Sequence, residues 1–307
     1  MNRKVNEDKL LPPKMEQIYF FAEKGDAKSL LECLRTGGTI NFVHPTSTDS
    51  PLMVACRRGY TEVVRICLDY GAKNDPHPDF GQTALHAAVA SGRQACAAII
   101  LEVAQESEAD SIISNLTDQY GQTPLHTACI IGSVPVAELL LHHGARTSSI
   151  DTYGQTPLHL CAGSGHKNVL AILLDHEGDV LIDLPDVYGN SPLHHAAYHG
   201  KLECAKLLLE TAANVNARNN EGLTAYNLAI IHGHHQISAV ILEYRSDGGG
   251  GGDRFSREST PYYSDSPYGT PMAIRAVDIP TPNLRRAQTY GGAESSSMYD
   301  QLPRPHT

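Results

Sequence analysis

The chain has 307 residues, of which 41% are hydrophobic and 19% are charged, as is typical of a soluble globular protein. Its formal net charge is -10. Because binding to a phosphate backbone draws on clustered lysine and arginine, we expect no nucleic-acid partner. No run of 18 apolar residues occurs, so we also expect no membrane span.

The chain begins with a charged segment, residues 1–14, which lacks the apolar stretch of a signal peptide. The seven cysteines are odd in number and include no C-x-x-C pair, a pattern that predicts reduced, buried thiols. These features favour a cytoplasmic protein, with the nucleus as the alternative compartment.

One short motif recurs along the chain after a first predicted helix pair at residues 17–34. Its serine or threonine stands at positions 50, 83, 123, 156, 191 and 224, whose differences are 33, 40, 33, 35 and 33. A weak copy begins at Ser50, another lies at Gly222–Asn227, and four clear copies lie between them: Gly81-Gln-Thr-Ala-Leu-His86, Gly121-Gln-Thr-Pro-Leu-His126, Gly154-Gln-Thr-Pro-Leu-His159 and Gly189-Asn-Ser-Pro-Leu-His194.

Each copy predicts a pair of helices. Thr123, Thr156 and Ser191 are N-cap residues, and the proline that follows each suits the first helical position. A glycine ends each first helix, and a second helix with apolar spacing of three and four follows. One such hairpin cannot bury its apolar faces alone, so the pattern predicts a stacked array.

The 33-residue period with T-P-L-H-x-A resembles the ankyrin repeat family. The resemblance implies an all-α solenoid of about seven helix-turn-helix repeats with β-turn loops, over residues 15–245. It also implies a non-enzymatic protein that binds a protein partner in a concave groove. The motif histidines would form hydrogen bonds between neighbouring turns: His86, His126, His159 and His194.

The 40-residue interval contains an insertion at residues 105–115. We interpret it as an extended outer helix followed by a loop. A binding embellishment is the alternative.

Two sets of residues that the motif leaves free are candidate partner contacts. One is an aromatic residue three positions before the motif serine or threonine, in loops that lie beside the groove in the ankyrin family. The alternative is that these rings brace neighbouring loops. The set is Phe80, Tyr120, Tyr153 and Tyr188.

The second set lies at the ends of the first helices, just before the glycine. Isoleucine at this position predicts an apolar contact patch. The alternative is partial burial by the next repeat. The set is Arg57, Arg58, Ile130, Ile131, Tyr198 and His199.

The sequence contains no catalytic motif, so we predict no enzyme activity, catalytic residue or cofactor. The histidine pairs have poor ligand geometry, so we also predict no metal site. Asn216, in the segment LLLETAANVNA, resembles the asparagine that hydroxylases modify in ankyrin repeats and is a candidate modification site.

Residues 246–307 have a different composition. Five consecutive glycines, Gly248–Gly252, are followed by a segment rich in glycine, proline, serine and tyrosine, which predicts a disordered tail. Short motifs make it a candidate docking segment for phospho-reading domains. The candidate phosphorylation sites are Thr260, Ser266, Thr270, Thr281, Thr289 and Tyr299.

The sequence therefore predicts a protein-interaction scaffold or adaptor with a regulated tail. Two alternatives remain at this point. One is a nuclear transcription co-regulator or inhibitor of ankyrin type. The other is a targeting subunit that delivers an enzyme, such as a ligase or phosphatase, to the bound partner.

Overall fold

The computed structural model describes residues 11–107, 109–177 and 182–246. Within these ranges the regular structure is helical, without strands. The helices are α1 (Pro13–Lys24), α2 (Ala27–Arg35), α3 (Pro51–Arg58), α4 (Thr61–Asp69), α5 (Ala84–Ala90), α6 (Gln94–Glu106), α7 (Asp110–Ile113), α8 (Pro124–Ile131), α9 (Val134–His142), α10 (Pro157–Ser164), α11 (Lys167–Glu177), α12 (Pro192–Tyr198), α13 (Leu202–Glu210), α14 (Ala225–Ile231) and α15 (His235–Ser246).

The helices form seven antiparallel pairs, and α7 is an addition to the third. The inner helices α1, α3, α5, α8, α10, α12 and α14 each pack on the inner helix of the next pair. The outer helices follow the same order. This arrangement confirms the predicted solenoid of helix-turn-helix repeats.

The inner helices begin where the caps were predicted. Thr123 and His126 form a reciprocal capping box, in which the threonine N–H donates to Nδ1 of His126 at 3.1 Å. Since Nδ1 accepts, Nε2 carries the proton and donates to the Gln155 carbonyl of the next repeat at 3.1 Å. The same two contacts recur at His86, His159 and His194, which confirms their predicted role between turns.

The core is a continuous column between the helix layers. Each motif leucine is almost fully buried, as are the small residues around it. Six of the seven cysteines are buried in this column, and only Cys33 is partly exposed, at the N-terminal end. The thiols therefore serve mainly as small apolar side chains. The motif leucines are Leu52, Leu85, Leu125, Leu158 and Leu193.

The insertion extends the third outer helix, as the sequence predicted. It also forms the extra turn α7, which the sequence analysis did not predict. Asp110 of α7 lies 3.1 Å from Nδ1 of the buried His143, and the Asn115 amide donates to the Gly144 carbonyl at 2.8 Å. The insertion is thus fastened to the end of α9 in the next repeat.

Across the ranges that the structure covers, no helix is both long enough and apolar enough to cross a membrane.

Candidate partner-binding surface

The loops between repeats are organised by one side chain each. Oδ1 of Asp151 accepts hydrogen bonds from the N–H groups of Tyr153 at 2.8 Å and Gln155 at 2.9 Å. Asp118 and Asp186 hold their loops in the same way. Asn219 makes the equivalent bonds in the last loop, so an amide oxygen replaces the carboxylate without loss of the turn.

Neighbouring loops are joined by backbone hydrogen bonds. The Tyr120 carbonyl accepts from Thr152 N–H at 2.8 Å, and the Tyr153 carbonyl accepts from Val187 N–H at 3.0 Å. The carbonyls of Phe80 and Tyr188 accept from the next loop in the same manner. The four aromatic residues therefore brace the array through their main chains.

The rings of these residues form a row along the loops, which we call the aromatic row. Phe80 is 48% exposed, Tyr188 is 43% exposed and Tyr120 is 36% exposed. Tyr153 is half-buried, and this burial, then the charges of Tyr188, Asp151 and Tyr120, raise its pKa. Partner binding by the aromatic row stays a prediction.

Carboxylates lie in the same loops as the rings. Burial raises the pKa of Asp118 and of Asp151, and the charge of the next carboxylate along the row raises each further. Burial also disfavours the charge on Asp186, yet its 2.9 Å hydrogen bond to Nε2 of His195 holds the pKa below its usual value. The loops that carry the aromatic row therefore hold a series of carboxylates of like charge.

The ends of the inner helices form the second candidate surface, which we call the groove floor. A guanidinium nitrogen of Arg57 lies 2.7 Å from Oδ1 of Asp49, in the loop that precedes α3. This ion pair places the groove floor beside the loops. Arg58 pairs with Glu23 of the first repeat at 3.2 Å. Ile130 and Ile131, by contrast, are 41% and 39% exposed.

The far end of the groove floor is rich in imidazoles. The ring of Tyr198 lies 4.8 Å from that of His199 and 4.2 Å from that of His232. Burial, followed by neighbouring positive groups, lowers the pKa of His199 to about 4. Among the described residues, no three His, Cys, Asp or Glu side chains are placed to hold a metal ion.

Sequence reasoning missed a second contact made at the glycines that end the inner helices. The side chain directly after one of these glycines lies against the glycine of the preceding repeat. His166, which follows Gly165, thus covers Gly132, and its Nε2 donates to the Ile130 carbonyl at 2.9 Å. His234 covers Gly200 in the same way. A long side chain directly after the glycine is the signal that would have predicted this contact, and where the short Ser133 follows Gly132 the preceding Gly92 has no such neighbour.

The remaining candidate sites lie elsewhere. Asn216 is exposed on the last loop, where its N–H donates to Asn214 at 3.0 Å, and its modification stays a prediction. The six candidate phosphorylation sites lie outside the described residues.

A stack of two-helix repeats with hydrogen-bonded loops defines the class of helical repeat proteins that bind other proteins. A family model described as "Ankyrin repeats (3 copies)" matches residues 18–115, 105–183 and 179–249. The chain belongs to the ankyrin repeat family, whose repeats mediate protein–protein interaction and are generally non-enzymatic.

Curated relatives share this repeat architecture. Ankyrin repeat and SOCS box protein 16 from Homo sapiens is 34% identical over 128 residues, which are 39% of this chain and 26% of that protein. Ankyrin repeat and SOCS box protein 11 from Danio rerio is 33% identical over 100 residues, which are 33% of this chain and 31% of that protein. SH3 and multiple ankyrin repeat domains protein 2 from Homo sapiens is 29% identical over 220 residues, covering 71% of this chain and 11% of that protein. The chain thus spans less than a third of each relative.

Proposed function

We propose that this protein is a non-enzymatic scaffold or adaptor that binds a protein partner across the aromatic row and the groove floor. The observation that carries the proposal is the row itself. Consecutive repeats each hold an aromatic side chain at the tip of a loop, and three of the four rings are well exposed.

The surface has the properties of an interface hot spot. Tyrosine and phenylalanine offer a large contact area with few rotatable bonds, so little side-chain entropy is lost on binding. The loops beneath are fixed by Asp118 and Asp151 and by hydrogen bonds to each other. Exposed Ile130 and Ile131 supply apolar area on the floor.

The proposal is tested by affinity capture with the full chain, read by mass spectrometry. The test variant carries Tyr120→Ala, Ile131→Ala and Tyr153→Ala. We expect it to lose partners that the parent protein retains, since truncation of a central anchor costs about 2 kcal/mol or more. Tyr70→Ala is the matched control, because Tyr70 is 39% exposed at the end of an outer helix.

Thermal melting must show that the triple variant is folded. If a folded triple variant captures the same proteins in the same amounts as the parent, the proposed surface is not the binding site. Partners lost equally in the Tyr70→Ala control would place the interface on the outer helices instead.

A second candidate is a targeting subunit, in which the repeats bind one protein and another part of the chain binds a second. The observation that favours it is that two relatives are named for a SOCS box beside their ankyrin repeats. Capture with the triple variant tests it. A protein that remains bound after the groove partner is lost would establish a second docking site.

A further inference from the structure

The loops advance along the stack with a regular pitch. In each loop the two limbs are hydrogen-bonded, for example Asp151 N–H to the Gln155 carbonyl at 3.0 Å. The next contact, Thr152 N–H to the Tyr120 carbonyl, joins one loop to its neighbour at 2.8 Å. One repeat therefore advances by two strand-like spacings, about 9.5 Å. A polyproline-type peptide also advances about 9.3 Å in three residues.

The same loops carry more negative than positive charge. Residues 114–123, 143–156 and 182–191 contain Asp118, Asp151, Asp183 and Asp186, against a single lysine or arginine, Arg146. Within the described part of the chain, no lysine or arginine side chain pairs with Asp118 or Asp151. Asp118 is half-buried and Asp151 is buried, and each accepts hydrogen bonds within the loops. The loops are therefore net negative, and positive charge on a partner would complement them.

Aromatic faces and carboxylates attract the same kind of group. The face of a tyrosine ring is electron-rich and binds guanidinium or ammonium groups that lie over it. A buried carboxylate in the same loop strengthens this attraction, because its charge is screened less than it would be in bulk water. Burial, then Tyr188 and Asp151, raise the pKa of Tyr153, and Asp151 is the carboxylate among these causes.

We infer that the aromatic row is the docking track for an extended partner segment that carries arginine or lysine about every third residue. Each cation lies over one tyrosine, within the negative field of the loop carboxylates. The inference rests on the proposed function, since it names the class of partner for the same surface.

The probe is a twelve-residue peptide in which arginine-proline-proline is repeated four times, with a fluorescent label. Its control has the same composition with the four arginines adjacent, and a third peptide has glutamate in place of arginine. Binding to the full-length protein is measured by fluorescence polarisation in low and in moderate salt. We expect the spaced peptide to bind about fivefold or more tightly than the clustered one, with an affinity that falls as salt increases.

Two variants separate the contributions of ring and charge. Asp118→Asn with Asp151→Asn removes two charges and keeps the turns, because Asn219 already holds its loop with an amide oxygen. We expect about fivefold weaker binding. Tyr120→Leu with Tyr153→Leu and Tyr188→Leu keeps apolar bulk and removes the aromatic faces, and we expect about tenfold weaker binding. Tyr70→Leu is the control and should bind as the parent does.

Three results would overturn the inference: no binding of the spaced peptide, equal binding of the clustered peptide, or unchanged affinity in the asparagine variant. The asparagine variant also distinguishes this inference from the proposed function. If it captures cellular partners normally while the Tyr120, Ile131 and Tyr153 variant does not, the groove binds an uncharged or apolar partner. If neither variant affects capture, the proposed function fails as well.

Discussion

The motif histidine links one repeat to the next only as a neutral imidazole. Nδ1 of His126 accepts from Thr123 N–H, so protonation of this nitrogen would abolish the bond. Burial accordingly lowers the pKa of His86 and of His126 to about 4, and that of His159 to about 3. Protonation of these residues therefore opposes folding.

Stability should fall in mildly acidic solution. The folded pKa of each histidine lies below its ordinary value of about 6.5, so the unfolded chain takes up protons first as pH decreases. The stabilisation is complete above about pH 6.5 and is lost between there and about pH 4 for His86 and His126, and about pH 3 for His159. The loss is at most about 1.4 kcal/mol per pH unit for each histidine. Urea unfolding at pH 7.5 and at pH 5 measures the loss, and equal unfolding free energies would contradict it.

Replacing one of these histidines should reduce by one the number of protons that the chain takes up on unfolding in mild acid, and so should weaken the pH dependence of its stability. Thr224 and Asn227 form the same capping box in the last repeat without an ionisable group. The variant His126→Asn should therefore keep its N-cap but lose the bond to Gln155, at a cost of about 1 kcal/mol or more at pH 7.5. Between pH 6.5 and 4.5 its stability should change less steeply than that of the parent. A parallel pH profile would show that His126 does not titrate as expected.

A single alanine occupies a backbone conformation that favours glycine. Ala212, just after α13, has φ of 66°, whereas the equivalent Gly71 and Gly144 have φ of 76° and 75°. Ala212→Gly should thus stabilise the fold by about 1 kcal/mol, and Gly71→Ala should destabilise it by a similar amount. Nothing lies within 4 Å of a Cβ at Gly71, so that variant measures backbone strain alone. Chemical denaturation of both variants provides the test.

At the scale of the element, the end of each inner helix is also a contact between repeats. Gly132 and Gly71 have nearly the same φ, 78° and 76°, but a Cβ at Gly132 would collide with the His166 ring. Gly132→Ala should therefore cost the strain of Gly71→Ala plus the hydrogen bond from His166 to Ile130, about 2 kcal/mol in total. Denaturation midpoints of the two variants decide this. Equal costs would mean that His166 moves aside freely.

The helices were predictable because their signals are local. Thr156 and Pro157 mark a helix start and Gly165 marks its end, all within one motif. The turn α7 was not predictable, since Asp110 is held by His143 from the next repeat, 33 positions away. The extended helix before it was predictable from the 40-residue interval alone. Periodic signals thus define the elements, and contacts between repeats define the exceptions.

The candidate binding surface was likewise predictable only in part. The spacing of the motif predicted an aromatic side chain in each of four loops, and the structure places them in one row. It did not predict that Arg57 would be paired with Asp49, and it left open whether Ile130 would be exposed or partly covered by the next repeat. Exposure and pairing depend on which side chains the neighbouring repeats present at a position that varies from repeat to repeat.

For the described stack as a whole, the main contacts of each repeat are with its neighbours, so stability should be distributed along one dimension. Among the described residues, the last repeat packs on a neighbouring repeat on one side, and Ile230, Ile231 and Leu242 are exposed. An internal repeat is held on both sides. A core substitution in a central repeat should therefore destabilise the repeats on both sides of it, whereas one in the last repeat should destabilise mainly that repeat.

Two fully buried residues test this expectation by hydrogen exchange and mass spectrometry. Leu160→Ala in α10 and Ile241→Ala in α15 each remove a core side chain, at a cost of about 2–5 kcal/mol. Ile241→Ala should accelerate amide exchange mainly in residues 224–246, because the main contacts of α15 are with α14 of its own repeat and α13 of the preceding one. Leu160→Ala should accelerate exchange in the repeats on both sides, over residues 123–199, because its loss disconnects two interfaces. Uniform acceleration along the stack in both variants would show that the seven repeats unfold as one cooperative unit.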